Sequence, residues 1–128
     1  MSHDEATIRA FIQKNKQERC VQFLANPKHR HKFTSELAHF KWLDERFAHP
    51  IPASIAHTVK EIASLLRTKG APATVQVLSE DSTIDGKELD LEEAIGRVRG
   101  YGMGTVLSCI PGKLGYFEDE EKARLLER

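Results

Sequence analysis

The chain has 128 residues, of which 40% are hydrophobic and 30% charged, and its formal net charge at neutral pH is zero. This length suits one domain with its own core, and this composition excludes a wholly disordered chain. Two widely separated cysteines do not form a disulfide or zinc framework, and no stretch is apolar enough to span a membrane. We therefore expect a cytoplasmic protein without a membrane partner.

The zero net charge conceals a difference between the two parts of the chain. Residues 1–70 carry 12 Lys or Arg against 7 Asp or Glu, whereas residues 71–128 carry 7 against 12. All six histidines lie in the first part, between His3 and His57. Such a split predicts two solvated faces of opposite sign, two parts that face each other, or a basic part that binds an acidic partner.

Apolar residues at helical spacing predict the first helices. A stripe that begins at Ile8 is interrupted by polar residues 14–19 and then resumes, which predicts one long helix or two with a bend. Asn26-Pro27 predicts a new helix start. From there, spacings of four, three, three and four predict one long amphipathic helix, whose apolar residues are Phe33, Leu37, Phe40, Leu43 and Phe47.

A third predicted helix lies between the proline-containing stretch 49–52, which ends the preceding helix, and Gly70. Gly70 is predicted to end it in a left-handed conformation. Its apolar face consists of Ile55, Val59, Ile62, Leu65 and Leu66.

The apolar period changes after residue 70. Asp90 and Glu93 have the spacing of a capping box, which predicts a short helix from residue 91. The charged segment 118–128 predicts a C-terminal helix, because acidic residues come first and basic residues last. Three strands are predicted, at residues 74–78, 105–110 and 113–118.

These elements predict a single α+β domain over residues 1–128. An N-terminal helical layer of about three helices, subregion 1–70, is expected to pack with a small mixed three-stranded sheet in subregion 71–128. That sheet is predicted to contain a β-α-β-β unit, followed by the short C-terminal helix. The first two strands, joined by a helix, would be parallel if they are neighbours.

The glycine cluster at residues 100–104 has the composition of a phosphate-binding loop, but its context argues against that function. Thr105 stands where a dinucleotide fingerprint needs its third glycine, and the order is helix, glycines, strand rather than strand, glycines, helix. Pro111-Gly112-Lys113 likewise lacks the glycine and the Ser or Thr of a P-loop. We predict that Gly100 ends a helix and that Pro111-Gly112 forms a type II turn, with Lys113 facing water.

Catalytic and metal-binding patterns are weak. Glu36 and His39 could face one metal ion, but a di-iron bundle needs a second such pair. His57 and Glu61 lie four apart, which a surface pair explains equally well. Ser108 lies in an apolar strand without an identifiable base, although a distant histidine could approach it in the fold. We predict no catalytic residue, no metal and no cofactor, and favour a protein that is not an enzyme.

The strongest positive feature is the cationic run Lys28-His29-Arg30-His31-Lys32. Its Lys28, Arg30 and Lys32 are the predicted partner-binding residues. The sequence therefore favours a small cytoplasmic protein-protein interaction module, self-association included. The alternatives are a nucleic-acid-binding protein that uses residues 28–32, and an enzyme or metal-binding domain with a cleft between helices and sheet. The enzyme would require convergence of His39, Cys109 and Lys113.

Overall fold

A computed structural model describes residues 2–52, 54 and 58–128. Its centre is one sheet of six strands in the order β1-β6-β5-β4-β2-β3, and every neighbouring pair is antiparallel. In chain order the strands are β1 (Ala48–Pro50), β2 (Thr74–Ser79), β3 (Glu88–Asp90), β4 (Thr105–Ile110), β5 (Leu114–Glu118) and β6 (Ala123–Glu127).

Helices cover both faces of this sheet. The described residues contain α1 (His3–Phe11), α2 (Gln17–Ala25), α3 (Arg30–Thr34), α4 (Val59–Thr68) and α5 (Leu91–Val98). Short 3₁₀ turns lie at Lys14–Lys16, Leu37–His39 and Glu45–Phe47. One hydrophobic core joins the sheet to α4 and α5, and a second core joins the opposite face to α1, α2 and α3. No helix in the described part of the chain is long and apolar enough to cross a membrane.

The apolar character of the central strands follows from this three-layer arrangement. Leu107 and Tyr116 belong to the core with α4 and α5, whereas their chain neighbours Val106 and Phe117 belong to the core with α1 to α3. Successive residues of a strand point to opposite faces, so a strand covered on both sides must be apolar at nearly every position. The central position that the sequence predicts for β4 is confirmed, since β4 lies between β5 and β2.

The predicted helix cap and the predicted turns at glycines are also confirmed. The Asp90 side chain accepts a hydrogen bond from the Glu93 N–H at the start of α5. Gly70 and Gly100 follow α4 and α5 with φ of +102° and +86°. Gly112 has a φ of +71°, and the Lys113 N–H donates to the Ile110 carbonyl, as in a type II turn. The predicted positions Ile55 and His57 lie outside the described residues.

The predicted three-stranded mixed sheet is wrong. In the described residues the sheet has six strands and no parallel pair, and its strands β1, β3 and β6 were not among the three predicted strands. β3 pairs antiparallel with β2 and so reverses the chain before α5 begins. The chain therefore returns through α5 into β4 antiparallel to β2, and the predicted parallel pairing of the strands at 74–78 and 105–110 does not occur.

The predicted C-terminal helix is also wrong. Residues 123–127 form β6, which pairs with β5 on one side and with β1 on the other. Leu125 is buried against the α4–α5 layer and Leu126 against the α1–α3 layer. Strand pairing and burial on both faces outweigh the helical charge pattern of this segment. Since β1 comes from residues 1–70, the two predicted subregions share one sheet.

The predicted long helix over the aromatic stripe is replaced by shorter elements. Phe33 lies in α3 and Leu37 in a 3₁₀ turn, whereas Phe40 is extended and Leu43 forms an isolated bridge with Ile12. Phe33, Leu37 and Leu43 are nevertheless buried in the core with α1 to α3. The stripe therefore identifies buried positions correctly, but these residues reach the core from a chain that changes direction repeatedly.

Candidate functional site

Residues 99–104, which join α5 to β4 and are called the glycine loop below, pack closely on the rest of the protein. Gly100 and Gly102 adopt positive φ, which other residues reach only with strain. A Cβ on Gly104 would lie 2.1 Å from the Leu37 carbonyl carbon and 2.2 Å from the Ala38 nitrogen. Two backbone segments therefore touch here, and only glycine permits that approach.

Two amide groups of this loop donate to carboxylates of the same chain. The Gly100 N–H donates to Glu118 Oε2 at 2.8 Å, and the Gly104 N–H donates to Glu80 Oε1 at 3.0 Å. A phosphate-binding loop must keep such donors available for its ligand. The amides of Gly100 and Gly104 are therefore not available to a ligand, and the absence of a phosphate site stays a prediction.

Glu118 connects the glycine loop to the end of β5. Its side chain is buried, and its Oε1 accepts a hydrogen bond from the Tyr116 hydroxyl at 2.7 Å. Arg99 Nη1 lies 3.7 Å from the same oxygen. Burial, together with the hydrogen bond to Glu118, raises the pKa of Tyr116 above its ordinary value, so the phenol stays protonated and donates. Both ends of the loop are thus held by internal contacts.

Two large apolar side chains project from this anchored loop. Tyr101 is 69% exposed and Met103 is 39% exposed, and among the described residues these are the large hydrophobic side chains left exposed. Tyrosine and methionine are both enriched at protein interfaces, and rigid loops that expose them often contact partners. The glycine loop is therefore a candidate binding element.

Tyr101 lies between two surface cavities. The larger, about 740 Å³, separates the glycine loop from the β5–β6 turn and from β1, and it is called the acidic cleft below. Its charged lining residues are Glu45, Arg99, Glu118, Asp119, Glu120, Glu121, Lys122 and Arg124, which give a net charge of −2. The smaller cavity, about 230 Å³, is lined by Tyr101, Met103, Ile84 and Val98 among others.

The predicted partner-binding residues have different environments. Arg30 donates to both carboxylate oxygens of Asp85, at 2.6 and 3.0 Å, and to Asp4 at 2.7 Å. The hydrogen bond to Asp85 also raises the pKa of Arg30. Lys28 and Lys32 are exposed. Arg30 therefore joins α3 to α1 and to the β2–β3 loop, and the predicted role of Lys28, Arg30 and Lys32 in partner binding stays a prediction.

The residues proposed for an enzyme do not converge. His39 lies beyond one end of the β4–β5 pair, with its Nδ1 2.7 Å from Glu120 Oε1. Lys113 lies in the turn at the other end of that pair. The six residues of β4 between these two ends span about 16 Å. Cys109 is buried in the core between them, and burial raises the pKa of its thiol to about 12. A protonated, buried thiol is not a nucleophile.

The fold does bring a histidine to Ser108. His3 Nδ1 lies 2.8 Å from Ser108 Oγ, although the residues are 105 positions apart. In the described residues no carboxylate forms a hydrogen bond with the His3 ring, so the orienting member of a triad is missing there. We interpret the pair as a contact that satisfies the buried Ser108 hydroxyl beneath α1.

Sequence reasoning missed Tyr101 and Met103, although the signal was present. Each stands between two glycines in Gly-Tyr-Gly-Met-Gly, outside any helical or strand pattern. Large apolar residues that alternate with glycines have no element in which to be buried. Such a pattern predicts exposed side chains, whereas the glycines alone were interpreted as turn residues.

Comparisons with known proteins provide no template for the site. No protein-family model, no curated protein and no solved structure matches the chain. Within the described residues, no group of three or more His, Cys, Asp or Glu side chains is placed to hold a metal ion. The glycine loop and the surfaces around it therefore carry the functional interpretation.

Proposed function

We propose that the protein is a protein-protein interaction module whose glycine loop and acidic cleft bind a cationic segment of a partner protein. The exposure of Tyr101 and Met103 on an anchored loop is the observation that supports this function. Exposed apolar side chains cost solvation free energy in an isolated protein, and a partner that covers them recovers it.

The loop is built to present these side chains at low entropic cost. Gly100 is held by Glu118, and Gly104 is held by Glu80 and by its contact with Leu37. Binding therefore immobilises few backbone torsions that are not already fixed. Pre-organisation of this kind leaves more of the contact free energy for affinity.

The chemistry of the cleft indicates the type of segment that it binds. Two of its cations are already paired inside the protein, Arg99 with Glu118 and Arg124 with Glu45. The remaining charges, on residues 119–122, are three carboxylates and one lysine, although Glu120 also contacts His39. Pro50 and Tyr101 supply an apolar wall. An extended segment with Lys or Arg next to apolar side chains matches both features.

We further propose a cytoplasmic location for this function. Cys20 and Cys109 are both buried and unpaired. Free thiols are characteristic of reducing compartments, and burial raises the pKa of Cys20 to about 11, which keeps it unreactive.

Selection of peptides tests the proposed function. Random peptides of about 12 residues, long enough to cross both cavities, are selected on the immobilised protein. The selected sequences should combine Lys or Arg with apolar residues. Their affinity is then measured by fluorescence anisotropy for the native protein and for the double variant Tyr101→Ser/Met103→Ser, which should bind roughly tenfold more weakly or worse.

A matched control removes exposed side chains far from the loop. Lys113→Ser/Gln22→Ser should bind the same peptides as the native protein does, because both positions are exposed and neither lines the cleft. Equal affinity for all three proteins would contradict the proposal. Light scattering of the native protein alone tests the self-association form, in which a second copy supplies the cationic segment.

A further inference from the structure

A second surface, on the layer that contains α1 to α3, has a different composition. Lys16 Nζ lies 5.1 Å from the centre of the Trp42 ring. Arg19 Cζ and Lys32 Nζ lie 5.5 and 5.9 Å from the centre of the Phe23 ring. These residues, Lys16, Arg19, Phe23, Lys32 and Trp42, are called the basic-aromatic face. It brings cations from α2 and α3 and from the turn before α2 next to aromatic rings.

The cations of this face are not neutralised within the described part of the chain. Among the described residues, no carboxylate lies within 4.0 Å of the charged groups of Lys16, Arg19 or Lys32, whereas Arg9, Arg30 and Arg124 are all paired. Residues 14–41 contain seven Lys or Arg and two Asp or Glu. One of these two, Glu18, is paired with Arg9. The face therefore attracts anions from solution.

The rings form a shallow base-sized hollow beside the cations. Phe40 and Trp42 are partly buried, with ring centres 5.8 Å apart in an edge-to-face arrangement. A cavity of about 240 Å³ is lined by these rings and by Glu36, His39 and Lys41. The Glu36 carboxylate can accept hydrogen bonds from the amino groups of a base but repels phosphate. The hollow thus suits a base, while Lys16 at the Trp42 ring and Arg19 and Lys32 at the Phe23 ring suit the phosphate backbone.

We propose that the basic-aromatic face binds single-stranded nucleic acid, with phosphates at Lys16, Arg19 and Lys32 and with bases against Phe23 and Trp42. Single strands offer backbone charge and unpaired bases together, which is the combination that this face can bind. A duplex hides its bases, and an acidic peptide has no group that requires the hollow. The five residues of this face do not line the acidic cleft, although His39 beside the hollow contacts Glu120 of that cleft, and the proposal goes beyond the proposed function.

Anisotropy and tryptophan fluorescence test this proposal. Labelled oligo(U) and oligo(dT) of about 12 nucleotides are titrated with the native protein at about 50 and about 200 mM salt. With three phosphate contacts on a single strand, the logarithm of affinity should fall with a slope of about −2 against the logarithm of salt concentration, roughly a 15-fold loss. Trp42 is the only tryptophan, so stacking should quench the intrinsic fluorescence. The two oligomers differ in the 2′-hydroxyl of the sugar and in the 5-methyl group of the base, so equal affinity would show that neither group contributes.

Variants separate phosphate contacts from base contacts. Lys16→Gln/Arg19→Gln/Lys32→Gln should lose more than tenfold in affinity and most of the salt dependence. Trp42→Leu should lose about tenfold and keep the native salt slope, because it removes stacking only. The charge-matched control Lys60→Gln/Lys87→Gln/Lys113→Gln changes exposed lysines elsewhere and should bind nearly as the native protein does.

Other outcomes would overturn the proposal. They are no binding at about 50 mM salt, an equal loss in the two triple variants, or displacement by oligo-glutamate without fluorescence quenching, which indicates an acidic protein ligand instead. Thermal unfolding of each variant confirms that it is folded before binding is measured. Tyr101→Ser/Met103→Ser should retain nucleic-acid binding, so this proposal and the proposed function fail independently.

Discussion

The acidic cleft and the basic-aromatic face differ in how their charges are used. In the cleft, Arg99 and Arg124 pair with carboxylates of the same chain, and the exposed Tyr101 provides the apolar anchor. On the basic-aromatic face, the cations are unpaired within the described residues and the rings are partly buried. The affinity of ligands should therefore fall less steeply with salt at the first surface, where the Tyr101 anchor adds an apolar contact, than at the second. The number of charges matters less than whether the fold has already paired them.

The same principle distinguishes residues within the cationic run at 28–32. Arg30 is held by Asp85 and Asp4, whereas Lys28 and Lys32 are exposed. A run of cations in sequence thus contains one residue that stabilises the fold and neighbours that remain available for binding.

The largest expected effect follows from Gly104→Ala. Its Cβ would overlap the Leu37–Ala38 backbone, which cannot move without disturbing the adjacent core. We expect a loss of about 3 kcal/mol in the free energy of unfolding, measured by urea denaturation. Gly96→Ala is the control: its Cβ has only Val59 at 4.0 Å, and alanine favours the helix by up to about 1 kcal/mol. Equal free energies of unfolding for the Gly104→Ala and Gly96→Ala variants would show that the glycine loop does not touch the Leu37–His39 turn.

Loss of the Arg30 network should have the next largest effect. Arg30→Met removes charged hydrogen bonds and leaves the partly buried Asp85 without its cationic partner, although Asp85 keeps the hydrogen bond from the Ser79 N–H, so we expect a cost of about 2 kcal/mol in unfolding free energy. Lys32→Met, on the exposed surface, should change stability by less than about 0.5 kcal/mol. A similar loss in both variants would contradict the structural role of Arg30.

Tyr116 predicts a loss of stability in alkali. Because its pKa is raised in the folded state, the phenol ionises first in the unfolded chain, near pH 10. The contribution of the protonated Tyr116 to the free energy of unfolding is complete below about pH 10. Above that pH it falls by about 1.4 kcal/mol per pH unit. Tyr116→Phe removes this dependence, so the difference in unfolding free energy between native and variant proteins should shrink above about pH 10. A constant difference would show that Tyr116 ionises alike in both states.

The smallest effect on stability is expected for the double variant Tyr101→Ser/Met103→Ser. Both side chains are exposed, so the free energy of unfolding should change by less than about 0.5 kcal/mol. Peptide affinity should nevertheless fall roughly tenfold or more. A large loss of stability would mean that these side chains support the fold rather than contact a partner.

The parts of the fold that were predictable from sequence are those fixed by neighbouring residues. The Asp90 cap and the reversals at Gly70 and Gly112 depend on local backbone chemistry, and all are present. The burial of Phe33 and Leu37 was also readable, because apolar residues must be covered somewhere.

The remainder depends on contacts between distant segments. β1 and β3 have three residues each, and they form because each pairs with the edge of a longer strand, β6 and β2 respectively. Arg30 and Asp85 are 55 positions apart, so no spacing rule predicts their pairing. The same holds for the candidate site. The Gly-Tyr-Gly-Met-Gly pattern is visible in the sequence, but the cleft beside it could not be predicted, because it depends on the relative positions of β1, β5 and β6.

Mapping of a bound peptide on the protein tests the central claim most directly. Backbone amide shifts of the native protein are recorded by NMR during titration with the tightest selected peptide. The account predicts that the largest changes fall in residues 99–104 and 118–124, which form the glycine loop and the rim of the acidic cleft. Changes centred instead on residues 14–42, with the glycine loop unaffected, would contradict it.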